Sequence, residues 1–373
     1  MKVEVVKTEK QFDDFVKLAW KIYPKSSPWV PPLVSDLKVL YSSELNPFWL
    51  HAQREFFLVY DDNGNPVGKI AAIIDRNYLE FQNDACGFFG FFECINDIAA
   101  AKALYEAAFN WLKSKGINKM MGPMNPGTND EVGFVCEGFN LSPSLMMAYT
   151  PQYYLDLAQK CGLTKIKELY AYDMDVANDS RVKRLERIVE MAKRKMPALV
   201  VRPVDLKKFR SELKLVMSVY NRAWEKNWGF VPWTDEEFED LAVRIKPLVD
   251  PNLAVIALMN GSPVGMLVAA PDYNKILKKM NGKMFPFGWA KFLYYKNKLD
   301  SLRLLIMGVV KEYHNKGIEA IMYSKTLNYA ISKGYKHCEL SWVLDDNIPT
   351  QRTSEMMGGK IYKRYAIYQK LEK

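Results

Sequence analysis

The chain has 373 residues, which is long for one ordinary domain and favours two. Hydrophobic residues make up 49% of it and charged residues 25%, a balance that excludes a disordered or low-complexity chain and predicts a large core. Lys and Arg number 52 against 43 Asp and Glu, so the net charge is +9 and indicates an anionic partner, either a nucleotide, a nucleic acid or a lipid headgroup.

The predicted elements begin with a strand, a pair of helices and a hairpin over 57–72. A further strand, a long helix over 98–115, a strand, a shorter helix and a final strand follow. The same order returns later in the chain, with a second hairpin over 255–269 and a second long helix over 317–333. A glycine ends each long helix, as expected of a C-terminal cap.

This order is an internal repeat. An offset of 197 residues aligns the two hairpins and also aligns Asp75 with Asp272. Beyond that point the offset becomes 218, where Gly90 aligns with Gly308, so the second copy holds about 21 extra residues. We therefore predict two copies of one α/β fold, each a mostly antiparallel, twisted mixed sheet flanked by helices.

A linker helix is predicted between the copies, with Asn178, Asp179 and Ser180 as its N-terminal cap. We expect an N-terminal domain over 1–176, this linker over 177–197, and a C-terminal domain over 198–373 with an inserted segment at 273–300. The Lys and Arg side chains of the linker helix are typical of a solvated connector.

The five cysteines are odd in number and scattered, and none has C-x-x-C spacing. They are Cys86, Cys94, Cys136, Cys161 and Cys338. Neither a disulfide framework nor a zinc site is indicated, and His314 and His337 have no partner at metal spacing. Residues 1–6 lack an apolar signal core, so we expect a soluble, cytoplasmic protein that binds no metal.

A strand, a polar turn with Gly317 and the start of a helix lie over 305–322. Such a turn directs backbone N–H groups and the positive end of the helix at one point, which suits a pyrophosphate. The segment resembles the GNAT superfamily of acyl-CoA-dependent N-acyltransferases, whose mark is a strand followed by Arg/Gln-x-x-Gly-x-Gly/Ala. Asp346, Asn347 and the short helix ending at 357–359 add to the resemblance, which covers 200–373 well and 1–170 more weakly.

The resemblance implies a donor, acetyl-CoA or a longer acyl-CoA, whose pyrophosphate lies in the turn and whose pantetheine arm pairs with a splayed strand. Two fused copies joined by a helix look like a tandem GNAT protein. The residues that would bind the donor are Gly308, Val309, Val310, His314, Asn315, Lys316, Gly317, Ile318 and Asn347.

The sequence departs from the family pattern at several positions. His314 replaces the Arg/Gln, Glu319 replaces the second glycine or alanine, and Ser354 stands where many members carry a general-acid tyrosine. A carboxylate at about 5 Å from a phosphate charge would cost roughly 3 kcal/mol, so Glu319 must point away from a bound donor. The first copy has Glu93 and Asp97 at its matching turn and no glycine, so we expect no second CoA site there.

Acyl transfer to an amine needs a base, a polarised thioester carbonyl and a proton for the leaving thiolate. Glu339 or Asp272 could be the base, although either could instead be a solvent-facing strand residue. Tyr362 or Tyr365 could be the acid, the alternative being aromatic cross-strand packing. We take Glu339, Tyr362 and Tyr365 as the catalytic candidates.

Two regions are candidates for acceptor binding. Trp224 and Trp228 fall where GNAT proteins shape the acceptor site. A loop of the first copy is rich in turn residues and amides, including Asn125 and Asn129, and either lines a cleft or serves only as a structural turn.

The inserted segment mixes seven lysines with six aromatic residues over 275–298. Lysine heads over an apolar aromatic surface indicate an anionic lipid interface or a pocket for a long acyl chain. The alternative is an amphipathic hairpin packed on a sheet edge. Without a recognition helix or a Gly-rich aromatic motif, we expect no nucleic-acid partner.

The resulting hypothesis is an N-acyltransferase that moves an acyl group from acyl-CoA to a small-molecule or lipid-like amine. Two alternatives stay open. One is a GNAT-fold protein that has lost catalysis and binds a lipid or peptide, which Glu319 and Ser354 favour. The other is an aminoacyltransferase of the peptidoglycan-bridge type, which takes its donor group from charged tRNA.

Overall fold

The computed structural model describes residues 1–177 and 179–372, apart from the side chains of 179–181. Residue 178 and the side chains of 179 and 180, which would form the predicted cap of the linker helix, lie outside the described part of the chain. The strands are β1 (Lys2–Val5), β2 (Ala52–Tyr60), β3 (Pro66–Asp75), β4 (Gly87–Cys94), β5 (Lys119–Gly122), β6 (Met124–Asn125), β7 (Glu131–Val132), β8 (Phe134–Glu137), β9 (Thr164–Asp175), β10 (Leu199–Pro203), β11 (Ala254–Met259), β12 (Ser262–Pro271), β13 (Ser301–Val309), β14 (His337–Leu344) and β15 (Lys360–Leu371).

The helices are α1 (Glu9–Lys17), α2 (Ala19–Ile22), α3 (Val34–Tyr41), α4 (Arg76–Gln82), α5 (Ile98–Ser114), α6 (Tyr153–Lys160), α7 (Asp179–Lys195), α8 (Phe209–Trp224), α9 (Asp235–Ile245), α10 (Asn274–Met280), α11 (Gly288–Tyr295), α12 (Ile318–Ser332) and α13 (Ile348–Met356). Both predicted long helices are confirmed as α5 and α12. The glycine after each one, Gly116 and Gly334, has a φ near +80°, which ends the helix in the left-handed region.

The chain forms two compact units. The first contains Met1–Tyr170, Asn274–Lys296 and Lys363–Lys373, and the second contains Ala171–Tyr273 and Asn297–Tyr362. Most of the inserted segment therefore groups with the first unit, although in sequence it interrupts the second copy. The predicted domain limits stay predictions.

The first unit is built on antiparallel neighbours β1-β2-β3-β4, on the parallel pair β4 and β5, and on β15, which pairs with β5. Helix α5 packs on β2 and β3. It buries one face at helical spacing, which includes Ala101, Leu104, Ala108 and Leu112, all 0% exposed.

The second unit has the strand order β14-β13-β12-β11-β10, with β13 and β14 parallel and the other pairs antiparallel. Helix α12 packs on β11, β12 and β13, and α8 packs on β12 and β13. The predicted fold class, a mixed α/β fold with mainly antiparallel sheet flanked by helices, is confirmed. No helix among the described residues is long and apolar enough to cross a membrane.

Candidate active site

The parallel strands β13 and β14 separate part-way along their length. Their register joins Ser301–Leu304 to His337–Leu340. Beyond the last pair β13 continues to Val309 and β14 to Leu344. The residues from 305 to 308 are partly exposed there, as are Ser341 and Trp342, although both strands lie inside the sheet. A gap thus opens between two neighbouring strands.

A β-bulge lies where the gap begins. Val268 of β12 pairs with Ile306, whereas Ala269 pairs with Leu304, which leaves Leu305 as an extra residue in β13. Leu302 and Leu304 face a narrow apolar cavity under α12. Because the bulge shifts the alternation of side chains, Gly308 faces α8 on the other side of the sheet.

Gly308 is in close contact with the end of α8. A Cβ atom at this position would lie 2.3 Å from the ring of Trp224 and 3.0 Å from Ala223. Only glycine lets the indole approach the backbone this closely. Trp224 in turn stacks on Tyr220 with a ring separation of 4.8 Å. The predicted acceptor residue Trp224 and the predicted donor residue Gly308 are therefore brought together.

At the point where the strands separate, a buried carboxylate is held by three side chains. Glu339 is 4% exposed, and its register partner Arg303 is 5% exposed. Ser341 Oγ donates to Glu339 Oε1 at 2.5 Å, and Tyr362 donates its hydroxyl hydrogen to Glu339 Oε2. Arg303 Nε donates to Ser341 Oγ at 3.1 Å and lies 3.6 Å from Glu339 Oε1.

The position of this cluster suits proton transfer. Cys338 and Leu340 face the cavity under α12, so Glu339 and Ser341, which alternate with them, lie on the face of Gly308 and Trp224. Tyr362 supplies an O–H beside the carboxylate. Trp342 adds a buried indole N–H that has no partner among the described residues. A carboxylate and a hydroxyl group, the chemical types used in acid–base catalysis, thus stand together at one end of the gap.

The polar turn leads from β13 into α12. Asn315 and Gly317 have φ values of 60° and 86°, so the turn has two left-handed residues, and Gly317 is the N-cap of α12. Among the residues that the structure describes, no side chain caps this end of α12. The first N–H groups of the helix therefore stay available for an anion, as the sequence predicts.

The linker helix brings further positive charge to this turn. A Cβ atom at Gly317 would lie 2.8 Å from the Cβ of Ala192, so the last turn of α7 packs directly on the start of α12. That turn carries Lys193, Arg194 and Lys195, all exposed. These cations were interpreted from the sequence as part of a solvated connector, and only the packing of α7 places them near the turn of Gly317.

Other predicted donor residues have local roles in the turn. His314 Nε2 lies 2.7 Å from the carbonyl oxygen of Val309, and the N–H of Val310 donates to Val264 at 2.9 Å. Lys316 lies 4.6 Å over the ring of Tyr313. Ile318 is fully buried and anchors the first turn of α12.

Glu319 and the two positions near α13 complete this region. Burial raises the pKa of Tyr323, and the charge of Glu319, one helical turn away, adds to the rise, so Glu319 lies along α12 near Tyr323. Asn347 caps α13 by accepting from the Thr350 N–H at 3.2 Å. Ser354 is buried and donates to the Thr350 carbonyl at 3.0 Å, which is a structural contact within the helix.

The corresponding gap of the first unit is filled by its own chain. Strands β4 and β5 pair only at Gly87 and Phe88, and a Cβ atom at Gly90 would lie 1.8 Å from the carbonyl oxygen of Met124. Asn125 Oδ1 accepts from the Phe91 N–H at 2.6 Å. This gives Asn125, a predicted substrate residue, a structural contact.

The N-terminus of α5, unlike that of α12, is capped by a side chain. Asp97 accepts from the Ala100 N–H at 2.8 Å and so caps the helix. A carboxylate thus occupies the helix end to which an anion would bind. That the first copy has no CoA site stays a prediction.

The first unit nevertheless has a buried charged cluster, which the sequence analysis missed as a feature. Lys69 is 3% exposed, pairs across the sheet with Glu93, and donates to the Phe15 carbonyl at 3.0 Å. Tyr154 donates to Glu93 at 2.7 Å. Burial lowers the pKa of Lys69 to about 8 and raises that of Glu93. A lysine inside an otherwise apolar strand at 67–74 is the signal that could have found it.

The titration of Lys69 yields a prediction. Its pKa in the folded state is about 8, below the usual 10.5, so between these values the unfolded chain binds more protons and stability from this group rises with pH. The unfolding free energy of the wild type minus that of Lys69→Met should rise by up to about 1.4 kcal/mol per pH unit across that window. Urea titrations at pH 7.5, 9 and 10 measure it, and a constant difference would contradict the assignment.

The remaining predicted site residues lie elsewhere. Tyr365 is fully buried in the first unit, where it pairs with Val135 of β8, whereas Tyr362 belongs to the second unit. Asp272 is buried at the end of β12, and its N–H donates to Ser301. Trp228 follows α8, and Asn129 lies in the loop between β6 and β7. Among the described residues no group of three or more His, Cys, Asp or Glu side chains could hold a metal ion.

A gap between parallel strands, a bulge at its start and a glycine turn into a helix define the class of this protein. The structure is similar to a tandem GNAT protein from the clavulanic acid biosynthesis pathway, with a TM-score of 0.57 and 11% identity over 99% of this chain and 98% of that chain. It is also similar to a probable N-acyltransferase from Enterococcus faecalis V583, with a TM-score of 0.53 and 9% identity over 99% of this chain and 72% of that chain. The fold that the predicted GNAT resemblance implies is confirmed, and the protein has the GNAT fold.

The sequence is 32% identical to the bacterial ceramide synthase of Caulobacter vibrioides (strain NA1000 / CB15N) over 98% of this chain and 96% of that protein. It is 30% identical to the protein YghO of Escherichia coli (strain K12) over 95% of this chain and 92% of that protein. The chain therefore belongs to the family of the bacterial ceramide synthase. No protein-family model matches it.

Proposed function

We propose that the protein is an N-acyltransferase that moves a long-chain acyl group from acyl-CoA to the primary amine of a long-chain amino alcohol, forming a ceramide-type amide. The observation that carries the proposal is the buried Glu339, held by Tyr362 and Ser341 at the point where β13 and β14 separate. The relative named a ceramide synthase supports an amino-alcohol acceptor, since a ceramide is the N-acyl derivative of such a base.

In this proposal the donor lies along the gap. The pantetheine arm extends beside the partly exposed backbone of β13, and Gly308 and Val309 lie next to the thioester carbonyl. The diphosphate meets the uncapped start of α12 at Gly317. Lys193 and Lys195 of α7 offset part of its charge.

The acceptor lies on the face of the sheet that carries Glu339. Its alkyl chain contacts the aromatic surface of Trp224 and Tyr220, and its amine approaches the carboxylate. A flat, apolar surface beside a buried carboxylate suits a molecule with a long chain and one basic group.

In this proposal Glu339 and Tyr362 carry out the two proton transfers. Glu339 takes a proton from the amine, directly or through one water, as the nitrogen attacks the thioester carbonyl. The C–N bond forms, the C–S bond breaks, and Tyr362 donates a proton to the leaving thiolate. The proton on Glu339 then passes to the Tyr362 phenolate through their hydrogen bond, so the products are the amide and free CoA and no redox partner is needed.

Purified protein incubated with palmitoyl-CoA and sphinganine tests the proposal. The expected result is an amide whose mass equals the sum of the two substrates minus free CoA, released with one thiol per amide. Acetyl-CoA in place of palmitoyl-CoA distinguishes a long-chain donor from a short one. Amide formation from aminoacyl-tRNA alone, or no amide from either thioester, would overturn the proposal.

A further inference from the structure

The segment 274–296 is fixed at its base to the first unit. Asn274 is buried, and its Nδ2 donates to the carbonyl oxygens of Pro143 and Ser144 at 3.0 and 2.8 Å. Lys278 Nζ donates to the Ser27 carbonyl at 3.1 Å and to Ser142 Oγ at 3.1 Å. These bonds hold α10 against two loops that lie far away in the sequence.

A second set of contacts holds the turn after α10. Trp20 Nε1 donates to Asn281 Oδ1 at 3.2 Å, and the Val34 N–H donates to the Gly282 carbonyl at 3.0 Å. Gly282 has a φ of 77°, and a Cβ atom there would lie 2.5 Å from the Trp20 ring. The base of the segment is therefore closely packed.

The tip of the segment has the opposite character. Phe285 is 77% exposed, Phe287 is 72% exposed and Trp289 is 50% exposed. Leu293, four residues after Trp289 on α11, is 52% exposed and lies on the same helical face. Large apolar side chains so concentrated within nine residues mark an interaction surface.

The charged side chains of the segment 275–298 all have the same sign. The segment 275–298 contains seven lysines, and no Asp or Glu occurs between Asp272 and Asp300. Lys283 and Lys296 are exposed at either side of α11. Lys291 instead donates to the Lys279 carbonyl at 2.7 Å and so braces α11 against α10.

We propose that Phe285, Phe287, Trp289 and Leu293 insert into the headgroup layer of an anionic phospholipid membrane, while the surrounding lysines contact lipid phosphates. Exposed Phe and Trp beside lysine are the side chains that favour this interface. A protein partner would be expected to meet mixed charges, whereas every charged side chain of 275–298 is a lysine and the most exposed large side chains at the tip are apolar. The inference does not depend on the acyl-transfer proposal.

Sedimentation with sonicated vesicles tests the inference. Vesicles of phosphatidylglycerol and phosphatidylcholine in equal parts should bind the wild-type protein at least about tenfold more tightly than phosphatidylcholine alone. The quadruple variant Phe285→Ser, Phe287→Ser, Trp289→Ser, Leu293→Ser should lose at least about tenfold in binding. Because these side chains are exposed, its thermal midpoint should match that of the wild type.

The matched control is the double variant Leu50→Ser, Val243→Ser, which removes two side chains that are 65% and 57% exposed elsewhere on the surface. It should bind anionic vesicles as the wild type does. Equal binding by the quadruple variant, or no binding by the wild type, would overturn the inference. A wild-type dimer that the quadruple variant converts to a monomer in light scattering, without vesicle binding, would identify a second copy as the occupant instead.

Discussion

Replacement of Glu339 by glutamine is expected to lower kcat for amide formation by about 10²- to 10⁴-fold and to change KM little. Glutamine keeps the size of the side chain and one oxygen, which can accept from either Ser341 or Tyr362 while the amide NH2 faces the other hydroxyl, but it cannot take a proton. Steady-state assays with saturating palmitoyl-CoA and varied amine measure the effect.

A buried carboxylate beside an arginine also stabilises structure, so the experiment needs a control for that contribution. Glu212 is 6% exposed and forms two bonds of 2.7 Å with Arg202, far along the chain from the gap. Glu212→Gln should lower the melting temperature to a similar degree as Glu339→Gln and leave kcat unchanged. Equal loss of kcat in the two variants would show that Glu339 acts only through stability.

A variant of Tyr362 tests whether this side chain protonates the leaving thiolate or only holds Glu339 in place. Tyr362→Phe keeps the carboxylate and removes the O–H that Glu339 accepts. If Tyr362 protonates the leaving thiolate, kcat should fall while the rate with an activated thioester of low thiol pKa recovers, because such a thiol leaves without a proton. An equal loss with both donors would restrict Tyr362 to holding Glu339 in place.

The largest effect on stability is expected from Gly90→Ala in the first unit, a loss of about 3 kcal/mol or more in the free energy of unfolding. The added methyl group would lie 1.8 Å from the Met124 carbonyl oxygen, which is backbone and cannot rotate away. To remove this clash, β4 and β6 would have to move apart, although Asn125 of β6 is hydrogen-bonded to the Phe91 N–H of β4.

Gly64→Ala is the matched control for this variant. Gly64 has a φ of 77° and nothing within 4 Å of an added Cβ, so only the backbone strain of about 1 kcal/mol is expected. Urea unfolding curves of the two variants measure the difference. Equal losses would mean that β4 and β6 are not in close contact in the first unit.

The parts of the turn that share one stretch of sequence are the most accessible to prediction, and their use as a donor site stays a prediction. The turn at 311–317, its left-handed Gly317 and the uncapped start of α12 follow from local rules, since glycine and the helix start depend on neighbouring residues. The catalytic use of Glu339 was open, because alternation along a strand does not say which face is buried. Glu339 on β14 contacts Arg303 on β13 and Tyr362 on β15. The spacing of these residues in the sequence does not show that the three strands bring them together.

The same distinction explains what was missed. Lys69 and Glu93 lie 24 residues apart, and only the register of β3 with β4 makes them a pair. The cations of α7 lie beside the turn of Gly317 because Ala192 packs on Gly317, a contact across 125 residues.

By itself, the sequence determined that two α/β copies occur, that the second carries a polar glycine turn between a strand and a helix, and that a segment of lysines and aromatic residues interrupts it. Hydrophobic periodicity and turn residues act over short distances along the chain, and an internal repeat is found by comparing two such stretches, so all three can be predicted from the sequence. The tertiary structure alone decided that β13 and β14 separate beside Glu339 and that the segment 274–296 is held by the first unit with its aromatic tip exposed. Both depend on packing between elements distant in sequence, where the free energy comes from burial and hydrogen bonds that no local pattern records.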